Sequence, residues 1–111
     1  MASDLVLVQN DTKPDLIFTI IDSENNIIDI SDHTVRFKFR KCGTIITLFS
    51  RICTNITDGT DGKCKLVWTI GDLANIGDYE AELELTSDLD GSIQTVPKNL
   101  TIRIRAEFAN P

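Results

Sequence analysis

Between Tyr79 and Leu85 the chain alternates without a break, with Tyr79, Ala81, Leu83 and Leu85 on one parity and Glu80, Glu82 and Glu84 on the other. Successive side chains of a strand point to opposite faces, so this run has one face for a core and one for water. A helix would scatter both sets around its circumference. A second run mirrors the first: Val35, Phe37 and Phe39 alternate with Arg36, Lys38 and Arg40. Opposite charges facing each other across neighbouring strands contribute a few tenths to about 1 kcal/mol per pair. The glutamate strand is therefore expected between the Arg36–Arg40 strand and a strand carrying Arg103 and Arg105. Gly77-x-Tyr79 opens the glutamate strand after a break at Gly71-Asp72. A tyrosine at such a corner can tie a sheet edge back to the backbone through its hydroxyl.

The remaining segments read in the same period. Leu5–Val8 is a first strand, available for pairing at an edge, and the turn residues from Asn10 to Pro14 end it. Leu16–Ile21 is rich in residues that fit a pleated surface and predicts a central core strand. Ile27–Ile30 is a short strand or an extended connector. A turn around Cys42-Gly43 pairs Phe39 with Ile46 and Phe37 with Leu48, keeping all four on the buried face. Ile52, Thr54 and Ile56 alternate before the loop Asp58–Gly62, and the return strand carries Cys64, Leu66, Trp68 and Ile70 on one face. If those five residues are the whole connection, Ile56 faces Cys64 and Cys53 faces Val67. Cys53 and Cys64 then point to opposite faces, which excludes a disulfide unless a bulge intervenes. Asp72–Ile76 has room for one helical turn capped by Asp72. Ser87–Gly91 turns the chain into Ser92–Val96. Pro97–Asn99 interrupts as a bulge or strand switch would, and Leu100, Ile102 and Ile104 then resume the alternation, with Arg103 and Arg105 outward. Seven to eight short strands without a helical period predict an all-β fold, an immunoglobulin-like two-sheet antiparallel β-sandwich forming a single domain over residues 1–111.

A chain of 111 residues buries about two thirds of its unfolded surface. With 41% apolar and 25% charged residues it has the composition of a folded domain. A net charge of -6 argues against general nucleic-acid binding, which needs a basic surface. The start Met1-Ala2-Ser3-Asp4-Leu5 lacks the basic and apolar runs of a secretion signal, and no window has the length of a membrane span. The expectation is a chain made in the cytoplasm, with neither membrane nor nucleic acid as partner. Three cysteines close no disulfide framework and match no zinc spacing, so they read as buried, inert thiols. The glycosylation sequons at Asn10, Asn55 and Asn99 read as chance without a secretion signal.

Chemistry-bearing patterns are weak. His33 is the only histidine, and nothing in the sequence places a cysteine beside it to make a nucleophilic pair. No Gly-x-Ser-x-Gly elbow is present. Asp58 and Asp61 lack the Asp-x-Asp-x-Asp-Gly order and distal glutamate of a calcium loop, and the Asp88-Leu89-Asp90-Gly91 turn is discounted likewise. Glu80, Glu82 and Glu84 read as a solvated ion-pair row. Arg36, Lys38 and Arg40 alternate away from Phe37 and Phe39, whereas a nucleic-acid platform needs rings and basic groups on one side. A carbohydrate site would want exposed aromatics, yet the alternation puts Trp68 and Tyr79 in the core. No residue is assigned a catalytic, cofactor-binding or metal-binding role, and no cofactor is expected.

The ordered pieces carry a resemblance. Asn10-Asp-Thr12-x-Pro14, Phe18-Thr-Ile20, Ile28-Asp-Ile-Ser31, Thr34–Arg40, Trp68-x-x-Gly71-Asp-Leu73, Gly77-x-Tyr79-x-Ala81–Glu84, Asp90-Gly91-x-x-Gln94–Pro97 and Leu100-x-Ile102 span nearly the whole chain. Together they resemble the N-terminal domain of tailed-phage baseplate upper proteins. That resemblance implies an immunoglobulin-like domain anchoring receptor-binding tail structures to a baseplate. In that family linker and distal domains commonly follow, whereas this sequence stops at Pro111. The expectation is a non-enzymatic structural component of a tailed bacteriophage particle, a tail or baseplate adaptor located in the virion and made in the host cytoplasm. Its partners would be other virion proteins, contacted in multiple copies with self-association available. A capsid cement protein is the alternative, and a carbohydrate-binding module a more distant one.

Overall fold

The computed structural model describes residues 4–96 and 99–108. Among them the strands are β1 (Leu5–Val8), β2 (Leu16–Thr19), β3 (His33–Lys41), β4 (Phe49–Ile52), β5 (Thr54–Asn55), β6 (Lys63–Leu66), β7 (Gly77–Ser87), β8 (Ile93–Thr95) and β9 (Leu100–Arg105), and there is no helix. They make two sheets. The larger runs β1-β9-β7-β3-β4, with β8 also on β7; the smaller runs β2-β6-β5.

β7 lies between β3 and β9, where its charges ask it to be. The β3–β7 ladder pairs His33 with Ser87 at one end and Lys41 with Tyr79 at the other. Across it Lys38 Nζ meets Glu84 Oε2 at 2.6 Å and Arg40 Nε meets Glu80 Oε1 at 2.7 Å. On the β9 side Arg103 Nε reaches Asp78 Oδ1 at 2.9 Å. The inward parity supplies one core fed by both sheets: Val35, Phe37, Phe39, Tyr79, Ala81, Leu83, Leu85, Ile102 and Ile104 from the larger, with Leu16, Cys64 and Leu66 from the smaller. Trp68, just beyond β6, meets Phe37 and Phe39 edge-on at 5.8 and 5.7 Å. Phe39 in turn stacks on Tyr79 at 4.9 Å. The Tyr79 hydroxyl donates to the Asn75 carbonyl at 2.9 Å, forming the expected corner.

Several expectations are corrected. The sheets are not purely antiparallel, because β1 runs parallel to β9, and the described strands outnumber the seven or eight expected. β2 is an edge strand; the centre of the smaller sheet is β6. Of the two readings of Ile27–Ile30 the extended connector holds, joined to the chain before it by the bridge Ile21↔Ile27. Gly62, at φ 70, lets that connector pass closely, since a Cβ there would meet the Ile28 carbonyl oxygen at 2.9 Å. Phe39 pairs with Phe49 and Phe37 with Arg51, so the β3–β4 connection runs from Cys42 to Leu48. Phe49 takes the inward place, and Ile46 and Leu48 stand 72% and 57% exposed.

The second hairpin is also displaced. Asn55, not Ile56, faces Cys64, and the Ile56 N–H bonds the Lys63 carbonyl, which lengthens the loop by one residue. A one-residue slip moves every side chain to the other face. Cys53 therefore joins Cys64 in the core, at the point where the chain leaves β4 in one sheet for β5 in the other. The neighbouring Cys64 thiol, together with burial, pushes the Cys53 thiol well above its ordinary range. Ile70 is exposed because the chain leaves the sheet after Leu66, before reaching it. Asp72–Ile76 forms no helical turn; the Asp72 carboxylate instead accepts the N–H of Thr69, three residues earlier. The interruption expected at Pro97–Asn99 falls largely on residues 97 and 98, outside the described residues. On either side β8 and β9 both pair with β7, at Glu84–Thr86 and Gly77–Ala81.

Trp68 is 3% exposed and contacts three phenylalanines, so Trp68→Ala is expected to lower unfolding free energy by about 3 to 5 kcal/mol. Ile70→Ala, at a position 94% exposed, should stay within about 0.5 kcal/mol of the parent. Urea unfolding of both variants measures the difference.

Candidate functional site

Two surfaces stand out from the packing, and neither is built from reactive groups. The first is an end of the molecule. β3 finishes at Lys41 opposite Tyr79, β7 begins at Gly77 opposite Ile104, and the Cys42 N–H bonds the Asp78 carbonyl. The 42–48 loop, the 67–76 connection and the segment after β9 therefore gather at one end. There Ile45, Ile46, Ile70 and Phe108 are 91%, 72%, 94% and 87% exposed. Scattered apolar residues on a surface mean little, but several on adjacent loop tips mark a contact surface.

That end is held in place by Arg51. Its guanidinium clamps the Asp72 carboxylate with both Nη atoms, with Nη2 to Oδ1 at 3.1 Å. It also donates to the Val67 carbonyl and to Thr69 Oγ1, each at 3.3 Å, while lying over the Phe49 ring at 4.6 Å. Burial works to raise the Asp72 pKa, but the hydrogen bonds from Arg51 and from the Thr69 N–H prevail and hold it below the usual carboxylate range.

The second surface is a groove of about 580 Å³ between the sheets. Phe18 and Ile20 form one wall, Ala81, Leu83 and Leu100 the other, and Phe37 the floor. The groove opens where β7 passes from pairing with β9 to pairing with β8. Asp22 is occupied structurally, accepting the N–H groups of Glu24 and Asn26 at 2.9 Å each.

The residues weighed for chemistry are dispersed. His33 begins β3 with its Nδ1 buried and unpartnered, while Cys42 lies past the other end of that strand. Asp58 accepts the N–H and hydroxyl of Thr60, which hold its pKa down; Asp61 accepts from Thr57 Oγ1 and the Lys63 N–H. Asp88 accepts from Thr34 Oγ1 and Asp90 from the Ser92 N–H. These are turn-forming acids. Among the described residues no group of three His, Cys, Asp or Glu is placed to hold a metal ion. No helix of the described residues is long and apolar enough to cross a membrane. Trp68 and Tyr79 are buried, so neither offers a sugar-stacking face. The groove escaped sequence reading because its walls come from four separated segments, and the apolar end did because Ile46 and Leu48 mimic a strand's buried parity. No family model matches the chain, and no curated protein matches it either.

A depressed folded-state pKa adds stability above the unfolded carboxylate value and loses it as pH falls through the folded one. Asp72→Asn is accordingly expected to destabilise the protein at neutral pH. The gap to the parent should narrow as pH falls below about 4, where the unfolded carboxylate takes up its proton. Urea midpoints measured across that range check the sign.

Proposed function

We propose that the chain is a non-enzymatic, immunoglobulin-like attachment domain of a tailed bacteriophage particle, docking onto other virion proteins at the tail or baseplate. The observation that carries the attachment reading is the apolar end, where Ile45, Ile46, Ile70 and Phe108 stand exposed on clustered loops. Such a surface is satisfied by burial against another protein. The immunoglobulin-like reading is supported by the division of strands. β3, β7 and β9 share one sheet while β2, β5 and β6 make the other, the partition of C, F and G from B, D and E strands. The Tyr79 corner adds to it.

The tail assignment rests on the ordered resemblance to baseplate upper proteins. Some of its motifs include backbone corners: Asn10, at φ 69, donates its N–H to the Leu73 carbonyl, and Gly71, Gly77 and Gly91 take positive φ. Multiple copies in the virion, assembled from host-cytoplasm synthesis, follow from the same resemblance.

Immunogold labelling of intact particles tests the location. Label at the tail tip is the expected result, label over the head would move the protein to the capsid-cement role, and unlabelled particles would end the virion reading. The double variant Ile46→Glu/Ile70→Glu should unfold within about 1 kcal/mol of the parent, because both side chains are already in water, yet fail to enter particles.

A further inference from the structure

Cys53 occupies the step between the two sheets. Its N–H donates to the Val35 carbonyl of β3 at 2.8 Å, while the next residue, Thr54, already pairs with Lys65 of β6. Cys64 lies in the middle strand of the smaller sheet, opposite Asn55. Two residues before Asn55, Cys53 shares its parity and turns to the face that Cys64 occupies. In a regular ladder such diagonal neighbours are about 7 to 8 Å apart, too far for a disulfide. Cys53, however, precedes β5 and stands outside the ladder, where the chain bends over from β4. Its side chain enters the core 5% exposed, with Cys64 0% exposed, and both thiols are free. They are neighbours there: each is the first influence on how firmly the other holds its proton.

We infer that Cys53 and Cys64 are a redox pair, closing to an intrachain disulfide by exchange with a small external disulfide and reopening with the corresponding thiol. One thiol of the pair loses its proton and attacks a sulfur of the external disulfide, whose S–S bond breaks to release a thiolate. The second, deprotonated in turn, attacks the protein-side sulfur of the mixed disulfide, forming the Cys53–Cys64 bond and expelling the second small thiolate. The two protons end on the two small thiols, so the protein pair is oxidised and the external disulfide reduced. Access comes through β5, which is two residues long and lies at the edge of the smaller sheet, so its lifting uncovers the pair while the larger sheet stays folded. Once formed, the bond ties the backbone held by Val35 to the middle of the other sheet and closes the loop of residues 54–63. Cys42 has no part in it, being exposed and past the far end of β3. The inference stands on the pair and is independent of the virion reading.

The test uses the folded full chain carrying Cys42→Ser, which removes the exposed thiol. It is incubated with oxidised glutathione, with and without urea below the unfolding midpoint to favour local opening, then denatured in acid, alkylated and weighed. The expected product has lost two hydrogens, carries neither alkyl group nor glutathione, and yields proteolytic fragments joined through Cys53 and Cys64. Dithiothreitol should restore its mass. Its thermal midpoint should stand roughly 5 to 10 °C above that of the reduced chain. With Cys53→Ala added, the same treatment should leave Cys64 open to alkylation or bearing one glutathione. The inference is overturned if both thiols remain open to alkylation with and without urea, if a single glutathione persists on the chain that keeps both cysteines, or if the bond forms between chains. A disulfide that fails to raise the thermal midpoint overturns it equally, because the native geometry would then resist the bond.

Discussion

Phe39 is the residue on which both sheets close. It stacks on Tyr79 at 4.9 Å within its own sheet and receives the edge of Trp68 at 5.7 Å from the chain leaving the other. Offset-stacked and edge-on pairs each add about 0.5 to 1.5 kcal/mol beyond the area they bury. Phe37 and Phe49 extend the cluster, so the aromatic contacts between sheets form one connected group. The same backbone that turns Phe39 inward turns Lys38 and Arg40 outward, onto Glu84 and Glu80. Those ion pairs are partly exposed and individually weak. Their effect is on register: a slip of one residue would bury the charges and expose the rings at once.

This explains which parts of the fold were legible. β3, β7 and β9 carry charge on one parity and apolar groups on the other, so period and strand order were both readable from Val35–Arg40, Tyr79–Leu85 and Leu100–Arg105. The hairpins were not, because their apolar residues do not alternate with anything decisive. Ile45, Ile46 and Leu48 offer the buried face more hydrophobic residues than it accepts, and the choice falls to Phe49, whose ring reaches Phe37 and Phe39. At Cys53 the chain changes sheets, an event with no local signature, and Ile52 and Ile56 on either side of it both stand exposed. The candidate surfaces inherit that difficulty, being made where the alternation stops.

The acidic composition has a local use that net charge conceals. Asp22, Asp29, Asp58, Asp61 and Asp90 each accept the backbone N–H of the residue two positions on, at 2.9 to 3.1 Å. A carboxylate in this place imitates the carbonyl of a turn and fixes the loop without a second strand's help. Hydrogen bonds within each loop hold the pKa down, led by the Asn26 N–H for Asp22, the Ser31 and Thr60 hydroxyls for Asp29 and Asp58, and the Ser92 N–H for Asp90, so acidification weakens the turns that separate the strands. Carboxylates committed to their own loops are poor material for catalysis, and the chain's interaction capacity shifts to its apolar tips and open edge.

The open edge follows from where the first strand goes. By pairing with β9, β1 completes the larger sheet and ties the start of the described chain to its end, with the Asp4 N–H on Thr101 Oγ1 at 3.0 Å and Asp4 Oδ2 accepting the Thr101 N–H at 2.9 Å. The smaller sheet is left with three strands and with β2 outermost. Natural proteins usually blunt such an edge with a lysine, a proline or a bulge. β2 reads Leu-Ile-Phe-Thr, with Ile17 66% exposed, and carries none of these. The larger sheet has been closed at the smaller one's expense, and the vacancy sits where apolar walls and backbone donors can be used together.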